Sequence, residues 1–227
     1  MTQHASRIIA CATLLAGCTA MLLSGPMLPE AAGQAILTVK VSAVSPGGVI
    51  LGVYAYCVQA RPGHQAPGPN RSPAISWSPG PAGTASYAII AVDPDVPTDF
   101  TNARKEGVFI PADMPRRDFY HWVLVDIAPT VTGLPEGADS TSFIAQGKPA
   151  GPTKYGVRGI NGYGSTHGGY DGPCPPWNDM RVHHYHFGSM RSTWRTLVCR
   201  ATSRVPMRSR PWKGMFWRRA RSWAPTA

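Results

Sequence analysis

Four short segments rich in β-branched and aromatic residues, each bounded by Gly, Pro or Asn clusters, limit what this chain can fold into. They occupy residues 36–44, 48–56, 86–93 and 121–127. No long stretch repeats apolar residues with the 3.6-residue period of a helix, so helices should be minor. Strands with few helices to cover them must bury their faces against another sheet. The sequence therefore predicts one mainly β domain, a sandwich or a barrel, over residues 36–187.

The N-terminus has the layout of an export signal, with Arg7 ahead of an apolar run. Within the run, the letters LLAGC end at Cys18 in the form of a bacterial lipoprotein processing site, where the cysteine would carry the lipid. Ordinary cleavage near residue 35 is the alternative, and an uncleaved membrane anchor is a third interpretation. Residues 1–35 are thus predicted to direct the protein to the periplasm or to a lipid-anchored place in the bacterial envelope.

Cys57 and Cys174 are the cysteines that lie within residues 36–187. Export would permit a disulfide between them, and such a bridge would close a long loop. Sequence alone cannot show that the two sites are close enough to bond. A Cys57–Cys174 bridge and two free, buried thiols therefore both stay open at this stage.

The formal net charge of +10 is concentrated at the C-terminus. Residues 188–227 carry ten Arg or Lys and no Asp or Glu, so the rest of the chain is neutral. A basic excess commonly indicates a polyanion or an anionic membrane as partner. Because the β domain itself has no such excess, we expect no nucleic-acid partner for it, and membrane association only through a lipid at Cys18.

Seven motifs along residues 70–187 resemble, in their order, the phosphatidylethanolamine-binding protein family in its bacterial Raf-kinase-inhibitor-like branch. They are NRSPAISWS (70–78), VDPDVP (92–97), YHWVLVD (120–126), LPEG (134–137), GINGYG (159–164), DGPCPP (171–176) and HHYHF (183–187). The resemblance implies an antiparallel β-sandwich with minor helices. It also implies a small anion-binding cavity at one end, fitted to phosphate or a phospholipid head group.

Carried over by motif, the residues expected around that cavity are Asp93, Asp95, His121, Gly172, Pro173, His183 and Tyr185. Imidazoles, a tyrosine hydroxyl and a loop N–H such as that of Gly172 can all donate to a phosphate. A carboxylate aimed at an anion would repel it, so we expect Asp93 to fix a histidine tautomer or to meet a cationic amine of the ligand. Turn formation and core packing are the plainer explanations of the same residues.

The chain departs from the usual family pattern at several positions. His184 stands where the bacterial motif commonly has arginine, Asp171 where it commonly has glycine, and Val96 where it commonly has alanine. Residues 165–170 also lengthen the loop expected at the mouth of the cavity. The first two changes put the charge preference of the ligand in question, and the longer loop bears on its size.

The sequence favours a binding protein over an enzyme. It has no Ser or Cys in a nucleophile-elbow context, no ligand spacing of a zinc hydrolase and no Gly-rich phosphate loop leading into a helix. We therefore predict a non-catalytic binding protein for a small anion such as phosphate or phosphorylethanolamine, without a cofactor or metal, that regulates or inhibits a still unknown protein partner. A hydrolase that uses the Asp/His cavity is the alternative.

The resemblance ends at Phe187, where the family continues with a core strand and a C-terminal helix. Read two bases later, the codons of residues 212–218 can encode Met-Glu-Gly-His-Val-Leu-Ala, which resembles that helix. We therefore interpret residues 188–227 as an out-of-frame translation rather than a domain and expect them to be irregular. A selected Trp- and Arg-rich arm that binds membranes or nucleic acid is the alternative.

The frame hypothesis predicts that the gene, read two bases later from codon 188, has no stop codon before the end of the segment encoding residues 212–218. Resequencing the gene tests this directly. A stop codon inside that window would contradict the hypothesis and favour the basic arm.

Overall fold

The computed structural model describes residues 37–46 and 48–193, together with the backbone of residues 218–221. Its elements are a 3₁₀ turn at Gly52–Tyr54 and strands β1 (Val39–Val41), β2 (Cys57–Gln59), β3 (Gln65–Pro67), β4 (Ile75–Trp77), β5 (Ser86–Pro97), β6 (Arg116–Ile127), β7 (Gly133–Leu134), β8 (Gly151–Pro152), β9 (Val157–Arg158), β10 (His184–Ser192) and β11 (Arg218–Arg221). Within these ranges no helix is long and apolar enough to cross a bilayer. The predicted export signal and Cys18 lie outside the described residues.

The strands form two main sheets and a small ribbon. The larger sheet has the order β11-β10-β5-β6-β9-β8, the smaller has the order β1-β4-β7, and β2 pairs with β3. Every neighbouring pair is antiparallel. The prediction of a mainly β, antiparallel fold is confirmed.

The main core lies between the two sheets, which makes the fold a sandwich rather than a barrel. Alternate residues of the larger sheet face inward, as the two-residue period of a strand requires. They pack in one cluster with residues of the smaller sheet; its aromatic members are Tyr54, Trp77, Tyr87, Trp122, Tyr170, Tyr185 and Phe187. Ala88, Ile90, Val123 and Val125 are also buried, on the opposite face of β5 and β6. Burial of both faces explains why residues 87–92 read as a continuous apolar run.

Strand β10 continues five residues beyond Phe187, so the expectation that residue 188 onward would be irregular is wrong for this segment. Gly188 pairs with Ile90, and Ser192 with Ser86, in register with β5. Pairing requires only backbone donors and acceptors, and residues 188–192 contain no proline to interrupt it. Arg218–Arg221 adds a further strand beside β10. The frame hypothesis itself stays a prediction.

A disulfide joins Cys57 to Cys174, with their Cα atoms 4.7 Å apart. Of the two alternatives that the sequence left open, the bridge is therefore correct. The backbone explains the proximity, because the N–H groups of Tyr56 and Cys57 both donate to the carbonyl oxygen of Pro173. The bridge fastens the β2–β3 ribbon to the loop of residues 171–176 across a separation of 117 residues.

Replacing both cysteines, Cys57→Ser with Cys174→Ser, should lower the free energy of unfolding by up to about 5 kcal/mol, because the unfolded chain regains the entropy that a closed loop removes. Urea unfolding without reductant measures the difference. Wild-type protein treated with reductant is the control and should unfold like the double variant. Equal stability of oxidised wild type and double variant would contradict a stabilising bridge.

Candidate functional site

A cavity of about 190 Å³ lies where β5, β6 and β10 run side by side. Four of the seven residues expected from the sequence line it: Asp93, His121, His183 and Tyr185. The remaining wall is formed by Val96, Phe100, Arg104, Phe119, Gly162, Tyr163, Cys174, Pro175 and Pro176. Asp95, Gly172 and Pro173 are not among the residues of this wall.

His183 is a buried cation held between two carboxylates. Its Nδ1 lies 2.6 Å from Oδ2 of Asp93, and its Nε2 lies 3.1 Å from Oδ2 of Asp179. Burial alone would lower the pKa of His183, but hydrogen bonds to Asp179 and Asp93 raise it to about 9. Both ring N–H groups are therefore committed to carboxylates, and His183 positions Asp93 rather than donating to a ligand.

The second carboxylate, Asp179, is in turn fixed by Arg116. The two guanidinium Nη atoms of Arg116 lie 2.6 and 3.0 Å from the Asp179 oxygens, a bidentate pair with both side chains almost fully buried. Burial would raise the pKa of the Asp179 carboxyl, but hydrogen bonds from His183 and Arg116 lower it. The row Arg116–Asp179–His183–Asp93 thus alternates positive and negative charges and is neutral overall.

His121 lies beside this row but is held by different partners. Its Nδ1 is 2.8 Å from the carbonyl oxygen of Asp171 and 3.1 Å from that of Gly172. Carbonyl oxygens only accept, so Nδ1 carries the proton. The other nitrogen, Nε2, lies 4.0 Å from Oδ2 of Asp93 and has no hydrogen-bond partner among the described residues.

The environment of His121 favours the neutral ring. The side chain is only 3% exposed, and burial lowers its pKa, although the nearby Asp93 carboxylate acts in the opposite direction. Three aromatic rings surround it, with centroid distances of 4.9 Å to Phe119, 5.6 Å to Tyr163 and 5.0 Å to Tyr185. His121 therefore presents an unshared electron pair to a cavity with largely apolar walls.

The loop that carries Gly172 and Pro173 supports the cavity from behind. A Cβ atom at Gly172 would collide with the carbonyl oxygen of Tyr54, so this close approach requires glycine. The N–H of Gly172 donates to Oδ1 of Asn70, 2.8 Å away, and is not directed at the cavity as the sequence suggested. Its carbonyl oxygen accepts from the Tyr163 hydroxyl at 2.7 Å. The loop thus holds His121 and Tyr163 in place.

Asp171 anchors the same loop through a buried network that the sequence analysis did not assign. Its carboxylate accepts hydrogen bonds from Lys148, Asn70, Asn161 and His167, at 2.6, 2.8, 2.8 and 3.0 Å. Burial would raise the pKa of Asp171, but the Lys148 ammonium and the amide donors lower it. His167 belongs to the longer loop of residues 165–170, so two of the departures from the family pattern meet in one hydrogen bond.

Asp95 organises the start of β10 instead of lining the cavity. Its carboxylate accepts from Nε of Arg181 at 2.7 Å and from the backbone N–H and Nδ1 of His184 at 2.9 and 2.7 Å. Burial would raise the pKa of Asp95, but these hydrogen bonds from His184 and Arg181 lower it. His184, a departure from the usual arginine, thus finds its partner in Asp95.

Arg104 contributes a positive charge at the mouth of the cavity. Its Nε and Nη2 lie 3.2 Å from Oε1 of Gln65 and 3.0 Å from the carbonyl oxygen of Cys174, while Nη1 makes no hydrogen bond within the described part of the chain. Arg104, Tyr163 and Cys174 also line an adjoining groove. No motif marks Arg104 in the sequence, since it belongs to the long loop between β5 and β6 and is brought to the cavity by tertiary contacts.

The model of the family described as "Phosphatidylethanolamine-binding protein" matches residues 40–207, and so extends past Phe187, where the sequence motifs predicted the resemblance to end. The UPF0098 protein YbcL of Escherichia coli K12 is 36% identical over 123 residues, which are 53% of this chain and 51% of YbcL. A UPF0098 protein of Aquifex aeolicus is 31% identical over 157 residues, 66% of this chain and 71% of that protein. In the sequence match the chain thus spans about half the length of YbcL and more of the Aquifex relative.

Among solved structures, the chain is similar to E. coli YbcL, described as a new member of the mammalian PEBP family. The superposition has a TM-score of 0.50 and 26% sequence identity, and covers 72% of this chain and 80% of YbcL. The likeness supports the antiparallel β-sandwich described above.

The buried charge of His183 should make stability depend on pH. Its proton is held with a pKa of about 9 in the folded protein and about 6.5 in the unfolded chain. The contribution, on the order of 3 kcal/mol, is therefore fully present below about pH 6.5 and lost as pH rises through about 9. Urea unfolding at a series of pH values measures the slope.

His183→Asn should remove most of this slope and destabilise the protein by about 3 to 5 kcal/mol near neutral pH, because Asp93 loses its cation. His64→Asn is the matched control: His64 forms an exposed hydrogen bond with Glu106, so its loss should change stability by less than about 1 kcal/mol. Parallel stability curves for wild type and His183→Asn would overturn the assignment.

Proposed function

Because this chain belongs to the phosphatidylethanolamine-binding protein family, we propose that it is a non-catalytic binding protein whose cavity takes a small phosphate-like oxyanion. The observation that carries the proposal is the cavity itself, with the buried Nε2 of His121 inside and Arg104 at its mouth. Its volume of about 190 Å³ lies below the ~300–1,000 Å³ typical of sites for drug-sized ligands. It suits a head group rather than a whole lipid.

The balance of charge supports an anion as the ligand. Asp93 is neutralised by the His183 cation, and Asp179 by Arg116, so the inner row leaves no net charge. His121 adds none while its ring is neutral. The guanidinium of Arg104 therefore gives the cavity and its mouth a net charge of one positive unit. The apolar walls strengthen the attraction of Arg104 for an anion.

Two observations favour binding over hydrolysis at this site. Both oxygens of Asp93 already accept hydrogen bonds, from His183 and from the N–H of Asp95, which leaves Asp93 poorly suited to act as a base. The lining residues that the structure describes include no serine, threonine or lysine, and the sulfur of Cys174 is bonded to Cys57. A nucleophile for covalent catalysis would have to come from elsewhere.

The disulfide supports action outside the cytoplasm. Stable bridges form in oxidising compartments such as the bacterial periplasm, which agrees with the export signal predicted for residues 1–35. Export, lipid attachment at Cys18 and regulation of a protein partner remain proposals.

Calorimetric titration of inorganic phosphate and phosphorylethanolamine into the chain tests the proposed function. Both should bind, and Arg104→Gln and His121→Ala should each weaken binding about tenfold or more, because each removes a polar contact to a charged ligand. Arg71→Gln is the matched control, since Arg71 pairs with Glu136 at an exposed site away from the cavity. Absence of binding, or equal affinities for wild type and both cavity variants, would refute the proposal.

A further inference from the structure

The cavity holds a hydrogen-bond acceptor where an anion site would be expected to hold a donor. The Nδ1–H of His121 is fixed by the carbonyl oxygens of Asp171 and Gly172, so the neutral ring offers only the electron pair of Nε2. A fully deprotonated oxyanion also offers only acceptors. The two would repel each other unless a proton lies between them.

The groups that face His121 do not supply this proton. Asp93, on β5, accepts from His183 and from a backbone N–H. The Tyr163 hydroxyl donates to the carbonyl oxygen of Gly172. His183 is committed to two carboxylates, the carboxylate of Asp171 is held by Lys148, and Arg104 lies at the mouth. Tyr185, on β10, packs its ring against that of His121; a tyrosine hydroxyl can donate a hydrogen bond but does not give up its proton near neutral pH.

We infer that the site binds its oxyanion together with one proton, shared between a ligand oxygen and Nε2 of His121, and therefore selects phosphomonoesters and inorganic phosphate over phosphodiesters. This inference rests on the proposed function. A monoester in its monoanionic form carries a P–O–H group that donates to Nε2. No covalent bond is made or broken in this step. A dianion reaches the same complex by taking one proton from solvent.

A phosphodiester, such as the head group of an intact phospholipid, has the right charge but no P–O–H group. It can accept a hydrogen bond from Nε2 only if His121 takes up a proton, which burial opposes, so it binds without this contact and more weakly. Two sources of a phosphate group are thus distinguished. Free phosphate and monoester head groups are ligands, and the diester of a diacyl phospholipid is a poor ligand.

Titration calorimetry on the full chain tests proton uptake without any variant. The probes are inorganic phosphate, phosphorylethanolamine and the diester glycerophosphorylethanolamine, each titrated in two buffers of different ionisation enthalpy at about pH 8, where a monoester with a second pKa of about 6 is a dianion. We expect uptake of close to one proton per monoester bound. Its affinity should fall about tenfold for each pH unit above about 6. The diester should bind at least about tenfold more weakly than the monoester near pH 6.

The His121→Gln variant tests whether the proton is taken up at His121, because glutamine cannot titrate but can still place a hydrogen-bond donor near the ligand. Binding should persist at lower affinity, while proton uptake and the pH slope disappear. His64→Gln, a change at a histidine of the adjoining groove, should keep both. If His121→Gln fails to fold, the wild-type buffer comparison decides alone.

The outcomes separate this inference from the proposed function. Monoester binding without proton uptake, equal affinity for the diester, or uptake that survives in His121→Gln would each overturn the inference and leave an anion site in place. Failure of all three probes to bind at any pH would refute the proposed function, and the inference with it.

Discussion

The ion pair between His183 and Asp93 is the interaction on which the geometry of the site depends. The two side chains come from separate parts of the chain, each at most 2% exposed, and neither charge would be tolerated there alone. Asp179 and Arg116 extend the pair into a neutral row that joins β6, the loop before β10 and β5. Because the row is internally balanced, the cavity next to it can remain largely apolar without an uncompensated charge.

Two histidines of one cavity take opposite protonation states because their partners differ. His183 meets carboxylates at both ring nitrogens and remains a cation, whereas His121 meets carbonyl oxygens at Nδ1 and apolar rings around the remainder. Burial acts in the same direction on both, toward the neutral ring. The protein thus sets the chemistry of each imidazole by the groups placed around it rather than by the depth at which it lies.

Much of the fold could be predicted from the sequence, because strand period and turn residues are local properties. Motif order also brought Asp93, His121, His183 and Tyr185 to one cavity. The different protonation states of His183 and His121 could not be predicted, since they depend on which atoms each ring nitrogen contacts across the sheet. Arg104 and the Asp171 network were missed for the same reason, as their partners lie many residues away.

The Cys57–Cys174 bridge could not be predicted either, because spacing along a chain says little about distance in space. Two backbone hydrogen bonds to the carbonyl oxygen of Pro173 bring the two cysteines together. The expectation for residues 188–192 was wrong for another reason, because it took the end of the family motifs as the end of regular structure. Backbone pairing with β5 does not depend on those motifs.

The extended β10 has a consequence for how this end of the sheet tolerates mutation. Along residues 188–192 the requirements are few: no proline, and small residues such as Gly188 and Ser189 where the strand is buried. Many unrelated sequences satisfy such rules, so pairing with β5 constrains residue class here more than residue identity. The charged row around His183 has no comparable freedom, and the two regions should therefore diverge at different rates among relatives.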